Sequence, residues 1–82
     1  MKPKAIVVVH SKWCPCCRIA IETAKTLSKE LQIPLKLLDI DMPDEEKEAD
    51  LYVRKYGHWS EDYVIPQLFI ECEDGTVHHL FT

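Results

Sequence analysis

The chain has 82 residues and is 46% hydrophobic and 29% charged, which fits one small globular domain with a modest core and excludes disorder. Its longest apolar run, residues 5–9, is far too short to cross a membrane as a helix. The net charge is −4 and no Lys/Arg cluster exists, so nucleic acid is not an expected partner.

Lys2 and Lys4 precede the first apolar run. That segment has neither the length nor the cleavage site of a signal peptide, so the cytoplasm is the expected location. The run itself, AIVVV, is β-branched and continuous, which predicts a strand buried on both faces. Helical spacing begins after Cys14, where Ala20, Ala24, Leu27 and Leu31 form one apolar stripe. Pro15 suits the first helical position, where no amide hydrogen bond is lost. Pro34 forces Ile33 out of helical geometry, so the helix ends near Gln32.

Residues 35–40 read as a second strand. An acid-rich stretch follows, with seven carboxylates over residues 39–50. It reads as a solvated turn and helix start, because acids favour the first turn. Pro43 and Asp44 open the second helix, whose inner face is Ala49, Tyr52, Val53 and Tyr56, and Gly57 ends it. Residues 58–65 form an aromatic loop. Residues 67–73 and 76–81, joined by Asp74-Gly75, predict a hairpin with a tight turn. The order β-α-β-α-β-β predicts an α/β domain over residues 1–82. Its four-stranded sheet is mixed: the β-α-β unit pairs parallel and the hairpin antiparallel.

The chemistry concentrates in Cys14-Pro15-Cys16-Cys17. Cysteines this close cannot staple distant loops. Cys14 falls at the N-cap of the first helix, and Cys17, one turn later, points the same way. The positive helix terminus favours thiolate over thiol, with Lys12 and Arg18 adding to it. Cys14 then serves as nucleophile and Cys17 as the thiol that resolves a mixed disulfide. Cys-x-x-Cys also serves zinc and iron–sulfur sites, so a metal- or cluster-binding module using Cys14, Cys16 and Cys17 stands as the alternative.

The strand before the cysteines, the helix through them, the adjacent Trp13 and the Val64-Ile65-Pro66 lead into a later strand carry a resemblance. The chain resembles the thioredoxin/glutaredoxin superfamily, in its small glutaredoxin-like form, over nearly its whole length. Trp13 before the first Cys is thioredoxin-like, and Pro15 after it is glutaredoxin-like. The resemblance implies a thioredoxin-like fold and a protein disulfide reductase. It implies a cis Ile65–Pro66 bond beside the cysteines, with the Ile65 backbone offered to substrate and Trp13 lining the groove. No flavin or nicotinamide motif is present, and no cofactor is expected. Protein disulfides are then the substrates, and an external reductase or a low-molecular-weight thiol supplies electrons.

The chain departs from the family pattern at three places. Val8 stands where thioredoxins place a buried Asp, which leaves water, His10 or another group as the base for Cys17. Glutathione-dependent relatives follow the last strand with a Gly-Gly-x-Asp-like segment, whereas here Asp74-Gly75 is the hairpin turn and no such segment follows residues 76–81. The usual C-terminal helix is missing, which predicts exposed apolar surface near Leu80 and Phe81 and a monomer or weak homodimer. Cys16 reads as a surface thiol and Cys72 as a buried inert one. His10, His58, His78 and His79 read as solvated or packed side chains. His58, Trp59 and Tyr63 read equally as a second groove wall or as a plug at the core edge.

Overall fold

The computed structural model describes residues 2–82. Its elements are β1 (Pro3–His10), α1 (Pro15–Leu31), β2 (Leu35–Asp39), α2 (Pro43–Tyr56), β3 (Gln67–Cys72) and β4 (Val77–Phe81). The strands form one mixed sheet in the order β2-β1-β3-β4. β1 pairs parallel with β2 and antiparallel with β3, and β3 pairs antiparallel with β4. The expected mixed α/β architecture, with two helices, is present.

The alternation of β1 explains how four consecutive apolar residues, Ile6 to Val9, are all buried. Val7 and Val9 join Leu38, Ala49, Val53 and Phe69 on the α2 side of the sheet. Ile6 and Val8 join Ala24 and Leu68 on the α1 side. A strand packed on both faces has no polar side to alternate with, hence the unbroken run. The α2 face is as expected: Ala49 and Val53 are buried, with Tyr52 and Tyr56 packed around them. The α1 stripe is shorter than the spacing implies. Ala20 and Ala24 are buried, whereas Leu31, in the last turn, is 41% exposed.

Local chemistry sets the element ends. Gln32 caps α1 in the left-handed region at φ 56°, and its N–H bonds the Lys29 and Ser28 carbonyls. β2 ends one residue before the sequence expectation, because the Asp39 side chain accepts the Asp41 N–H at 2.9 Å and turns the chain. α2 carries Asp44, Glu45 and Glu46 in its first turn and Arg54 and Lys55 in its last, matching the helix dipole at both ends. In the hairpin, Gly75 has φ 88°, the left-handed geometry that favours glycine. β3 stops at Cys72, whose N–H and carbonyl bond the Thr76 carbonyl and the Gly75 N–H across the turn.

Gly57 ends α2 for a spatial reason rather than the left-handed cap common at helix ends. Its φ is −108°. A Cβ there would overlap the side-chain oxygen of Gln67 and lie 2.7 Å from Phe69 Cζ. Gly57→Ala should therefore cost about 2 kcal/mol, since both neighbours are fully buried and neither can yield freely. Urea unfolding of the two proteins measures this, and equal midpoints would contradict it.

Leu80 and Phe81 are 45% and 40% exposed on β4. No helix among the described residues is long and apolar enough to cross a membrane.

Candidate functional site

The C-terminal end of β1 leads through Ser11–Trp13 into α1, and this turn is tied down on both sides. Ser11 is buried, and its Oγ donates to Asp41 Oδ2 at 2.7 Å, joining the turn to the segment after β2. The Ser11 carbonyl accepts the Cys14 N–H at 3.3 Å. Cys14 is thereby held at the N-cap of α1, with φ −94° and ψ 110°. Pro15 follows at the first helical position, where its missing N–H costs nothing.

Capping residues are usually oxygen-bearing, and here the cap is a sulfur. Cys14 Sγ accepts the Cys17 backbone N–H at 3.1 Å. The amide that an ordinary cap would satisfy points at the thiol expected to act as nucleophile. Cys17 is fully buried. Burial pushes its thiol up to about 12, and its hydrogen bond to Cys14 pushes in the same direction, while the Ser11 backbone pulls it down. Reduced Cys17 is therefore a protonated thiol at neutral pH, lying behind Cys14.

Two clefts of about 300 and 310 Å³ open at Cys14. Lys12 and Arg18 line both of them. Trp13, 67% exposed, and Pro15 complete one, while His10, Ser11 and Ile21 complete the other. His10 is buried, and its Nδ1 has no hydrogen-bond partner. Val8 is buried in the apolar core beneath α1, so this position supplies no base for Cys17.

Ile65–Pro66 is a cis peptide, as the resemblance implies. The antiparallel register pairs Val9 with Gln67, which sets Pro66 alongside the end of β1 from which the cysteine turn departs. Ile65 is half-buried and Pro66 buried, and neither lines the two clefts at Cys14.

The approach to Pro66 is held by a residue that sequence reasoning missed. Gln67 is fully buried. Its Nε2 donates to the His58 carbonyl at 2.8 Å and to the Val64 carbonyl at 2.9 Å, while its Oε1 accepts the His58 N–H at 3.0 Å. One amide thus binds the loop shut at both ends. The only sequence signal was a polar residue opening an otherwise apolar strand. Trp59 and Tyr63 lie in a different cleft, against α2, where the Arg54 guanidinium stacks 4.3 Å over Trp59. They form no wall at Cys14.

Cys16 is exposed and Cys72 is buried in β3. Among the described residues, no three His, Cys, Asp or Glu side chains converge in a group able to hold a metal ion. Cys14, Cys16 and Cys17 therefore do not form a ready ligand set, although they are neighbours in sequence.

No protein-family model, curated protein or solved structure matches this chain.

Proposed function

We propose that this chain is a thiol–disulfide oxidoreductase with a thioredoxin-like fold, a small member of the thioredoxin/glutaredoxin superfamily that reduces protein disulfides. The observation that carries the reading is the sulfur cap: Cys14 Sγ receives the Cys17 N–H at 3.1 Å at the opening of two clefts, with the Cys17 thiol buried behind it. A nucleophile and a resolving thiol differ in access: Cys14, itself 9% exposed, borders the two clefts, whereas Cys17 is fully enclosed.

In the first step the Cys14 thiolate attacks one sulfur of the substrate disulfide. A Cys14–substrate S–S bond forms, and the other substrate sulfur leaves as a thiolate that takes a proton from water. In the second step Cys17 gives its proton to water and attacks Cys14 Sγ. The mixed disulfide breaks, the Cys14–Cys17 bond forms, and the remaining substrate thiolate leaves and is protonated. Two electrons pass to the substrate, and an external reductase or a low-molecular-weight thiol returns them. Exposed Trp13 gives the substrate a flat apolar wall, and the half-buried Ile65, outside the two clefts but beside the end of β1, would offer its backbone to a longer substrate segment, with Pro66 fixing its place.

The test is turnover. Catalytic amounts of the protein should accelerate reduction of a small disulfide protein by dithiothreitol. Absence of turnover, with about one equivalent of metal in freshly purified reduced protein, would instead support a metal centre at Cys14, Cys16 and Cys17.

A further inference from the structure

Lys12 and Arg18 are the basic side chains that line the clefts at Cys14. Lys4, Lys25, Lys36 and Arg54 each pair with a carboxylate. Lys12 and Arg18 are exposed, and among the described residues no carboxylate pairs with either. Asp41, the acid joined to this turn, is engaged by Ser11 Oγ. Both cations line both clefts that meet at Cys14. Two positive charges without an ion-pair partner therefore border the nucleophile, whichever cleft a substrate segment enters.

We infer that Lys12 and Arg18 select substrates, favouring disulfides whose cysteine is flanked by acidic residues in an extended polypeptide segment. The inference rests on the oxidoreductase reading above. A chain rising about 3.3 Å per residue, with its cysteine at Cys14, carries the side chains one to three positions away into the adjoining clefts. The pair of clefts suits a chain that passes across Cys14 in both directions. Carboxylates there meet Lys12 and Arg18, whereas lysines meet like charge. The attraction lies near the surface, so it raises the rate of encounter and weakens with salt.

The test uses three synthetic peptides that share one disulfide and differ only in flanks of Glu, Gln or Lys. Pre-reduced protein reacts with each in a single turnover, and each rate is divided by that of dithiothreitol to remove the peptide's own reactivity. The Glu peptide should react about tenfold faster than the Lys peptide at 20 mM salt, falling to about twofold at 0.5 M. The double variant Lys12→Glu/Arg18→Glu should reverse the order. A ratio between two peptides on one protein cancels any change in Cys14 reactivity, so the reversal reports recognition alone. Equal normalised rates for the three peptides, or an unchanged order in the double variant, would overturn the inference while leaving the oxidoreductase reading intact. Failure to reduce any of the three would overturn both.

Discussion

Cys14→Ser is expected to abolish disulfide reduction, with a loss of at least about a thousandfold, because a hydroxyl cannot form the S–S bond on which the transfer depends. Cys17→Ser should behave differently. It still offers Cys14 to the substrate, so one equivalent of mixed disulfide accumulates, and an added thiol releases it. Acid quenching and mass spectrometry distinguish the two variants. The same experiment carries a pH dependence. Burial holds Cys17 up at about 12, so its thiolate population rises about tenfold per pH unit across the neutral range. Release of the mixed disulfide in the wild-type chain should accelerate as pH is raised from 6 to 8. Cys16→Ser, at an exposed position, should keep most of the activity. Activity that survives Cys14→Ser but is lost in Cys16→Ser would reassign the nucleophile.

Gln67→Leu should destabilise the fold by about 3 kcal/mol. Three hydrogen bonds disappear together, and the His58 N–H and the His58 and Val64 carbonyls lose their partner. Leaving a buried polar group unmade costs about 1–3 kcal/mol, and partial access of water to the loop keeps the sum at the lower end. Gln67→Glu should be no milder, since it keeps only the acceptor and places a charge where the side chain is fully buried. The loop it holds runs into Ile65 and Pro66, so KM for a protein disulfide should rise more than kcat falls. Chemical denaturation reads the first effect and steady-state kinetics the second. A Leu variant as stable as the wild type would show that the Gln67 hydrogen bonds contribute nothing net.

Most of the fold was legible because its signals are local. AIVVV marks a central strand, since only a strand covered on both faces places Ile6, Val7, Val8 and Val9 all out of water. Pro15, Pro34, Pro43 and Gly75 each fix a backbone choice that the residue type announces. The helix stop at Gln32 was placed through Pro34, but its left-handed cap was not, because no Gly or Asn marks it. Gly57 shows the reverse. Its place at the helix end was readable, whereas its cause, the close approach of Gln67 and Phe69, lies in residues at least ten positions away. Leu31 fitted the α1 stripe by spacing, yet in the last turn of the helix it is 41% exposed.

The candidate site divides in the same way. Cys14 at a helix N-cap followed from Pro15 and the onset of helical spacing. The Ser11–Asp41 hydrogen bond was not legible because it joins segments 30 residues apart, and the Gln67 clamp was not because its side chain carries no motif. Trp59 and Tyr63 illustrate the limit for loops. Their composition suited a groove wall and a plug at the core edge equally, and the structure places them in a cleft against α2, away from Cys14.

The central claim is that Cys14 and Cys17 form a reversible redox couple. The most direct measurement equilibrates the protein in thiol/disulfide buffers of stepped potential, traps each sample by alkylation and maps the pairing by mass spectrometry. The account predicts a single two-electron transition in which Cys14 and Cys17 pair, while Cys16 and Cys72 stay alkylated throughout. No such couple, with Cys14, Cys16 and Cys17 jointly protected from alkylation until a chelator is added, would contradict it and place a metal at these cysteines.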